Sequence, residues 1–200
     1  MLFRSAAEHR LPHERLDATT VRKRFPAFRI PVDHVAVFEP RAGMLDPEGA
    51  IAAHLDLARA HGAELRLGSA VVGWRPLADG GVEVRTALST ARVDRLVLST
   101  GAWTGTLLRE LSLPLVVERN VVHWFESERP LDAAPARMPV FIHEASEGNA
   151  WYGFPDTGDG LKLALHHQGR PTTADSVPRT VESDEVQAVR SLAAQIMPGM

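Results

Sequence analysis

Lys162 and His166 stand four residues apart in Gly160-Leu-Lys-Leu-Ala-Leu-His-His167. This run alternates leucine with smaller or polar residues, and in a strand alternate side chains share a face. Lys162, Ala164 and His166 therefore point one way and Leu161, Leu163 and Leu165 the other. The leucine face seeks a core, and the opposite face presents a cation and an imidazole. A flexible ammonium beside a cleft can hold a water or stabilise a developing negative charge. A half-solvated strand produces the same pattern with no chemistry. Upstream, Tyr152-Gly-Phe-Pro155 sets the chain's single tyrosine in a second strand pattern. A third stretch, Leu96-Val-Leu-Ser-Thr-Gly-Ala-Trp103, reads as a buried strand that turns through Thr100 and Gly101 into a helix. Glycine there lets a ligand approach the backbone, and a helix start offers unpaired N–H groups. In open α/β sheets, ligands gather at the carboxyl ends of such strands. An ordinary strand–helix connection would look the same.

Nine histidines include His143 and the pair His166-His167, and Glu144 adds a carboxylate. A strand would send His166 and His167 to opposite faces, which is poor geometry for one metal. No H-x-x-x-H pattern occurs on a helix, so no metal site is expected. The chain has no G-x-G-x-x-G, no P-loop and no G-x-S-x-G. The lone G-x-G, Gly158-Asp159-Gly160, falls among strands, so a dinucleotide diphosphate finds no primary cradle.

The elements that must position these residues form two zones. Asp17 is an N-cap for a short helix ending before Pro26, and His34–Phe38 reads as a strand. Asp46-Pro47 opens a helix to about His61, with Ile51, Leu55 and Ala58 on one face and Gly62 past its end. Strands are expected at Glu64–Leu67 and Ala70–Pro76, then a hairpin turn at Asp79-Gly-Gly81 and a return strand at Val82–Ala87. The apolar run Arg95–Thr100 reads as a buried parallel strand, followed by a helix to about Leu111. Beyond Pro114 the pattern changes to strands at 115–126, Met138–His143, Ala150–Phe154 and Gly160–His167, an antiparallel sheet. A closing helix from Ser183 presents Val186, Val189, Leu192 or Ala193, and Ile196.

Composition bounds the rest. The chain has 200 residues, net charge −3, 44% hydrophobic and 24% charged residues, ordinary values for a globular protein with a real core. No like-charge block marks a nucleic-acid or membrane partner. Cysteine is absent, which excludes disulfides, thiolate metal sites and a cysteine nucleophile within the chain. The N-terminal residues lack a signal-peptide pattern and no apolar run spans a membrane, so the cytoplasm is the expected location. Only two lysines, Lys23 and Lys162, stand among the basic residues, which singles out Lys162.

Four stretches together, FEPRAGMLDPEGAIAAHLDLARAHGAELRLGSAVVGW, LVLSTGAWTGTLL, NAWYGFPDTGDGLKLALHH and QIMPGM, resemble the monomeric sarcosine oxidase and N-methyltryptophan oxidase group. These are flavin-dependent amine oxidases of D-amino-acid-oxidase type. The resemblance runs from about Leu16 to the end. It implies an α+β fold: part of a Rossmann-like FAD-binding α/β domain plus an antiparallel β-sheet substrate domain. On that reading residues 1–41 belong to the substrate domain, 42–114 form a partial FAD-binding domain, and 115–200 form the substrate sheet with its C-terminal helix.

The implied activity is oxidation of a secondary N-methyl amino acid to an imine, with hydride transfer to flavin and reduction of O2 to H2O2. By resemblance Lys162 is the oxygen-activating lysine, His166 lines the same cavity and Tyr152 walls the substrate pocket. Val71 meets the adenine, and Thr100, Gly101 and Trp103 form the turn beside the flavin. The family's glycine-rich turn and ribose-binding acid have no counterpart here. Nor do its flavin-bonding cysteine and its lysine at the substrate carboxylate. Weak or no FAD binding by this chain alone is therefore expected, with self-association through an uncovered sheet edge. A non-catalytic binding module is the alternative, and a metal hydrolase is a third reading.

Overall fold

The structure, a computed structural model, describes residues 2–146 and 149–199. Met1 and Met200, the last residue of the QIMPGM stretch, lie outside the described residues. The chain divides into two compact units: residues 1–44, 119–170 and 178–200 form the first, and residues 45–118 and 171–177 the second.

The first unit opens with α1 (Leu2–Glu8), β1 (Glu14–Asp17), α2 (Ala18–Arg24) and β2 (Val35–Phe38). The Asp17 side chain accepts a hydrogen bond from the Thr20 amide at 2.8 Å, the expected N-cap. β1 and β2 pair antiparallel.

In the second unit α3 (Pro47–Ala60) begins as expected. Asp46 caps the Gly49 amide at 3.1 Å, and proline fills the first helical turn. No residue of α3 is buried, so its expected apolar face meets no core. Strands β3 (Val71–Pro76), β4 (Val82–Thr86) and β5 (Thr90–Val93) form an antiparallel meander. Its first turn is the expected Asp-Gly-Gly, with Gly80 at φ +93°. Arg75 and Glu83 face each other across β3 and β4 in a bidentate pair, both contacts at 2.8 Å.

Several expectations fail in this unit. Glu64–Leu67 contains no strand. Neither does the apolar run Arg95–Thr100, where Val97 is 87% exposed. A parallel strand exists only by pairing, and among the described residues none pairs with this run. The helix expected after Gly101 breaks into a 3-10 turn (Gly101–Trp103), α4 (Thr104–Leu107) and a second 3-10 turn (Arg109–Leu111).

The pattern over 115–126 resolves into β6 (Val117–Arg119) and β7 (Val122–Phe125), and α5 (Pro130–Ala133) follows. β7 belongs to the main sheet of the first unit, with β8 (Phe141–Ser146), β9 (Asn149–Phe154) and β10 (Leu161–Leu165). The order is β7-β10-β9-β8, antiparallel throughout. β11 (Arg170–Thr172) and α6 (Ser183–Ile196) complete the chain.

One face of this sheet buries Leu161, Leu163, Trp151 and Phe125 against Val189, Ala193 and Ile196 of α6, with Leu16, Val21 and Phe28 in the same core. The α6 residues fall at i, i+4 and i+7, one helical stripe. Burying each large aliphatic side chain contributes about 1.5–3 kcal/mol. The helix start is fixed by a reciprocal capping box between Glu182 and Glu185. Arg119 grips the Glu185 carboxylate at 2.5 and 3.2 Å and donates to the carbonyls of Pro178 and Thr180.

Candidate active site

The face of the sheet opposite this core carries the residues of chemical interest. Over its first three residues β10 alternates as its sequence requires: Leu161 and Leu163 are fully buried, while Lys162 stands on the other side; beyond them Ala164 is also fully buried and Leu165 half-buried. The register sets Lys162 across from Trp124 on β7 and from Phe154 on β9. Ala164 lies across from Val122 and Tyr152, and Ile142 of β8 extends that row. Trp124 is 55% and Ile142 68% exposed, whereas Lys162, Tyr152, Phe154 and His166 are half-buried and Ala164 is fully buried, so this face is open in part.

Rings link the members of the face. Tyr152 meets His166 edge-on with centroids 5.9 Å apart, and meets Phe154 edge-on at the same separation. The Lys162 ammonium lies 5.1 Å from the Phe154 ring and 5.5 Å from the Trp124 ring. The structure thus brings Lys162, Tyr152 and His166 onto one surface. Trp124 and Phe154, which the sequence reading did not single out as site residues, complete it.

The two adjacent histidines depart from expectation. β10 ends at Leu165, and His167 adopts a left-handed φ of +54°. The strand rule no longer applies, and the two imidazoles lie 4.0 Å apart instead of on opposite faces. Even so, among the described residues no group of three histidine or carboxylate side chains is placed to hold a metal ion.

Two other imidazoles of this unit, His143 and His123, lie on the core side of the sheet. His143 Nδ1 accepts from the Trp151 indole N–H at 3.1 Å, which leaves the proton on Nε2, a buried atom with no partner. Burial, and then the neighbouring His34, hold its pKa below the ordinary value. Burial lowers that of His123 in the same way.

In the second unit Thr100, Gly101 and Trp103 form one turn. The Thr100 and Thr104 hydroxyls lie 3.1 Å apart, and the Thr104 hydroxyl donates to the Gly101 carbonyl at 2.8 Å. Trp103 is half exposed, and its indole N–H donates to Asp175 at 2.9 Å. Gly101 has φ +53°, and a Cβ placed there would meet no atom within 4 Å. Its backbone is open to close approach by a ligand. Val71 starts β3, apart in sequence from this turn. The open Gly101 backbone and the half-exposed Trp103 ring leave room for a planar group at this turn. A diphosphate would need a glycine-rich turn at a helix start, and no such motif occurs in the sequence.

Comparison with known proteins identifies the fold and its family. The sequence profile of the DAO family, FAD dependent oxidoreductase, matches residues 1–200. The chain belongs to the DAO family of FAD-dependent oxidoreductases. It is 40% identical to the monomeric sarcosine oxidase of Streptomyces avermitilis over 202 residues, covering 99% of this chain and 52% of that protein. It is 33% identical to the N-methyl-L-tryptophan oxidase of Salmonella typhi, over 98% of this chain and 52% of the relative. The DAO chain therefore spans about half the length of the curated relatives it matches.

Solved structures show the same fold. NikD, an amino acid oxidase essential for nikkomycin biosynthesis, superimposes with a TM-score of 0.74 at 23% identity, over 98% of this chain and 52% of its own. Glycine oxidase from Geobacillus kaustophilus gives 0.75 at 19% identity, over 98% of this chain and 50% of its own. The α+β class and its D-amino-acid-oxidase type are thereby shown. Among the described residues no helix is long and apolar enough to cross a membrane.

Proposed function

We propose that this chain is a partial catalytic unit of a FAD-dependent amine oxidase acting on a secondary N-methyl amino acid of sarcosine type. The observation that supports this most is the gathering of Lys162, Tyr152 and His166 on one partly open face of the antiparallel sheet. Bound FAD would supply the two-electron acceptor that turns the amine into an imine and passes its electrons to O2. Lys162 contributes a positive charge that stabilises negative charge developing on oxygen. Tyr152 and His166 wall the substrate side. Val71 and the turn of Thr100, Gly101 and Trp103, within the second unit, would contact FAD.

Oxidase relatives support the substrate class: the names at 40% and 33% identity are a sarcosine oxidase and an N-methyl-L-tryptophan oxidase. A second reading, a binding module without flavin chemistry, is favoured by α3 with no buried residue and by the unpaired run Arg95–Thr100.

A chimera separates the two. The matching stretch of the Streptomyces avermitilis oxidase is replaced by this chain, and flavin content and peroxide release are measured. The expected product is yellow and releases peroxide from sarcosine or another N-methyl amino acid. Lys162→Met keeps the colour and anaerobic reduction but loses oxygen reactivity. A flavin-loaded chimera that oxidises no such amine would overturn the oxidase reading.

A further inference from the structure

We propose that Trp124 and Phe154 are positioning residues that hold the Lys162 ammonium between their ring faces without neutralising it. The inference rests on the role given to Lys162 above. β10 runs between β7 and β9, and the register places Lys162 opposite Trp124 on one side and Phe154 on the other. Nζ lies 5.5 and 5.1 Å from the two ring centroids. Both distances fall inside the roughly 6 Å at which a ring quadrupole attracts a cation. Tyr152 meets Phe154 edge-on at 86° and limits its movement.

Among the described residues the ammonium has no ion-pair or hydrogen-bond partner. The chain uses carboxylates freely elsewhere: Arg75, Arg119 and Arg129 each grip one. A carboxylate beside Lys162 would fix the side chain but cancel its field. Ring faces restrain a flexible four-carbon stem and leave the full charge for an anion arriving from the open side. That arrangement suits a group whose task is electrostatic.

The test exploits the two lysines. Reductive methylation with 13C-formaldehyde labels Lys23, Lys162 and the α-amino group and keeps each cationic. Lys23 is exposed on α2 and serves as the reference, and Lys23→Arg assigns its signal. The Lys162 methyl signal is expected upfield of that of Lys23, from the ring currents of both aromatics. Trp124→Leu and Phe154→Leu each move it toward the Lys23 position, and Trp124→Tyr holds it. Trp124 is half exposed, so its truncation opens no core cavity. Coincident lysine signals, or no movement in either leucine variant, would overturn the clamp.

The second arm uses the flavin-loaded chimera. Trp124→Leu slows reoxidation by O2 about two- to five-fold more than it slows anaerobic reduction, the factor that a partly exposed cation–π contact is worth. Trp124→Tyr recovers most of the loss. Equal slowing of both half-reactions overturns the positioning role. A ring-shifted Lys162 in a chimera without oxidase activity refutes the proposed function and supports the clamp by itself.

Discussion

Gly153 lies in β9 between Tyr152 and Phe154, with its missing side chain directed at the core. A Cβ built there stands 2.5 Å from Leu163 Cδ2, 2.5 Å from Phe141 Cε1 and 2.7 Å from Phe141 Cζ. Neither neighbour has room to withdraw. Leu163 is fully buried, and Phe141 is held edge-on by Trp151 at 5.1 Å and by Phe28 at 4.9 Å. Overpacking a filled core costs about 1–3 kcal/mol. Replacing glycine by alanine returns about 0.4–1 kcal/mol by restricting the unfolded chain. Gly153→Ala should therefore destabilise the first unit by about 1.3 kcal/mol, the difference of the two midpoints, roughly a nine-fold change in its unfolding equilibrium. Urea unfolding followed by tryptophan fluorescence reads this as a lower midpoint at unchanged slope. Gly43→Ala is the control. A Cβ there meets nothing within 4 Å and its φ is not positive, so it should be neutral or slightly stabilising. A Gly153→Ala variant within about 0.3 kcal/mol of wild type, inside the spread of an innocuous surface change, refutes the wedge.

Three more outcomes are expected. The Arg119 guanidinium, followed by the Glu182 amide, holds the Glu185 carboxyl down from 4.5 to about 2. A depressed carboxyl contributes stability that is complete above its unfolded pKa and is lost as pH falls through the folded one. Acid titration of the first unit should show loss between about pH 4.5 and 2, and Glu185→Gln should flatten that segment; an unchanged acid profile contradicts the coupling. Flavin fluorescence titration of the isolated chain should show weak binding, because no glycine-rich turn receives the diphosphate; submicromolar affinity contradicts it. The exposed Val97 and the edge strand β3, with Val72 also exposed, should promote self-association. Sedimentation velocity should show mass rising with concentration, less so in Val97→Lys; a monomer at every concentration argues against an active edge.

Elements whose signals are local were legible in the sequence. Asp17, and Asp46 with Pro47, fix two helix starts through their own side chains. The Asp-Gly-Gly turn and the stripe of α6 are equally self-contained. Burial is not local: α3 carries correct caps, yet its apolar residues meet no core. The run Arg95–Thr100 has the composition of a strand and, among the described residues, no partner with which to form one. His167 shows a smaller version of the same limit, since alternation placed it by assuming the strand continued and a left-handed φ ended it.

Alternation assigned Lys162 to a face, but what flanks it is a matter of register, and register is set by the turn between β9 and β10. There the Asp156 carboxylate accepts from the amides of Gly158 and Gly160 at 2.7 and 3.0 Å. Gly160 takes φ +103°, and a Cβ on it would stand 3.0 Å from the Phe125 carbonyl. Only glycine passes so close to β7 in that conformation. This turn closes the hairpin with Lys162 opposite Phe154, and Gly160 brings β10 alongside Phe125, which pairs with Leu161. A slip of one residue would reverse every side chain of β10, sending Lys162 into the core and a leucine between the two rings. The ammonium between Trp124 and Phe154 thus depends on Asp156 and Gly160, whose part is to set the register rather than to flank the lysine.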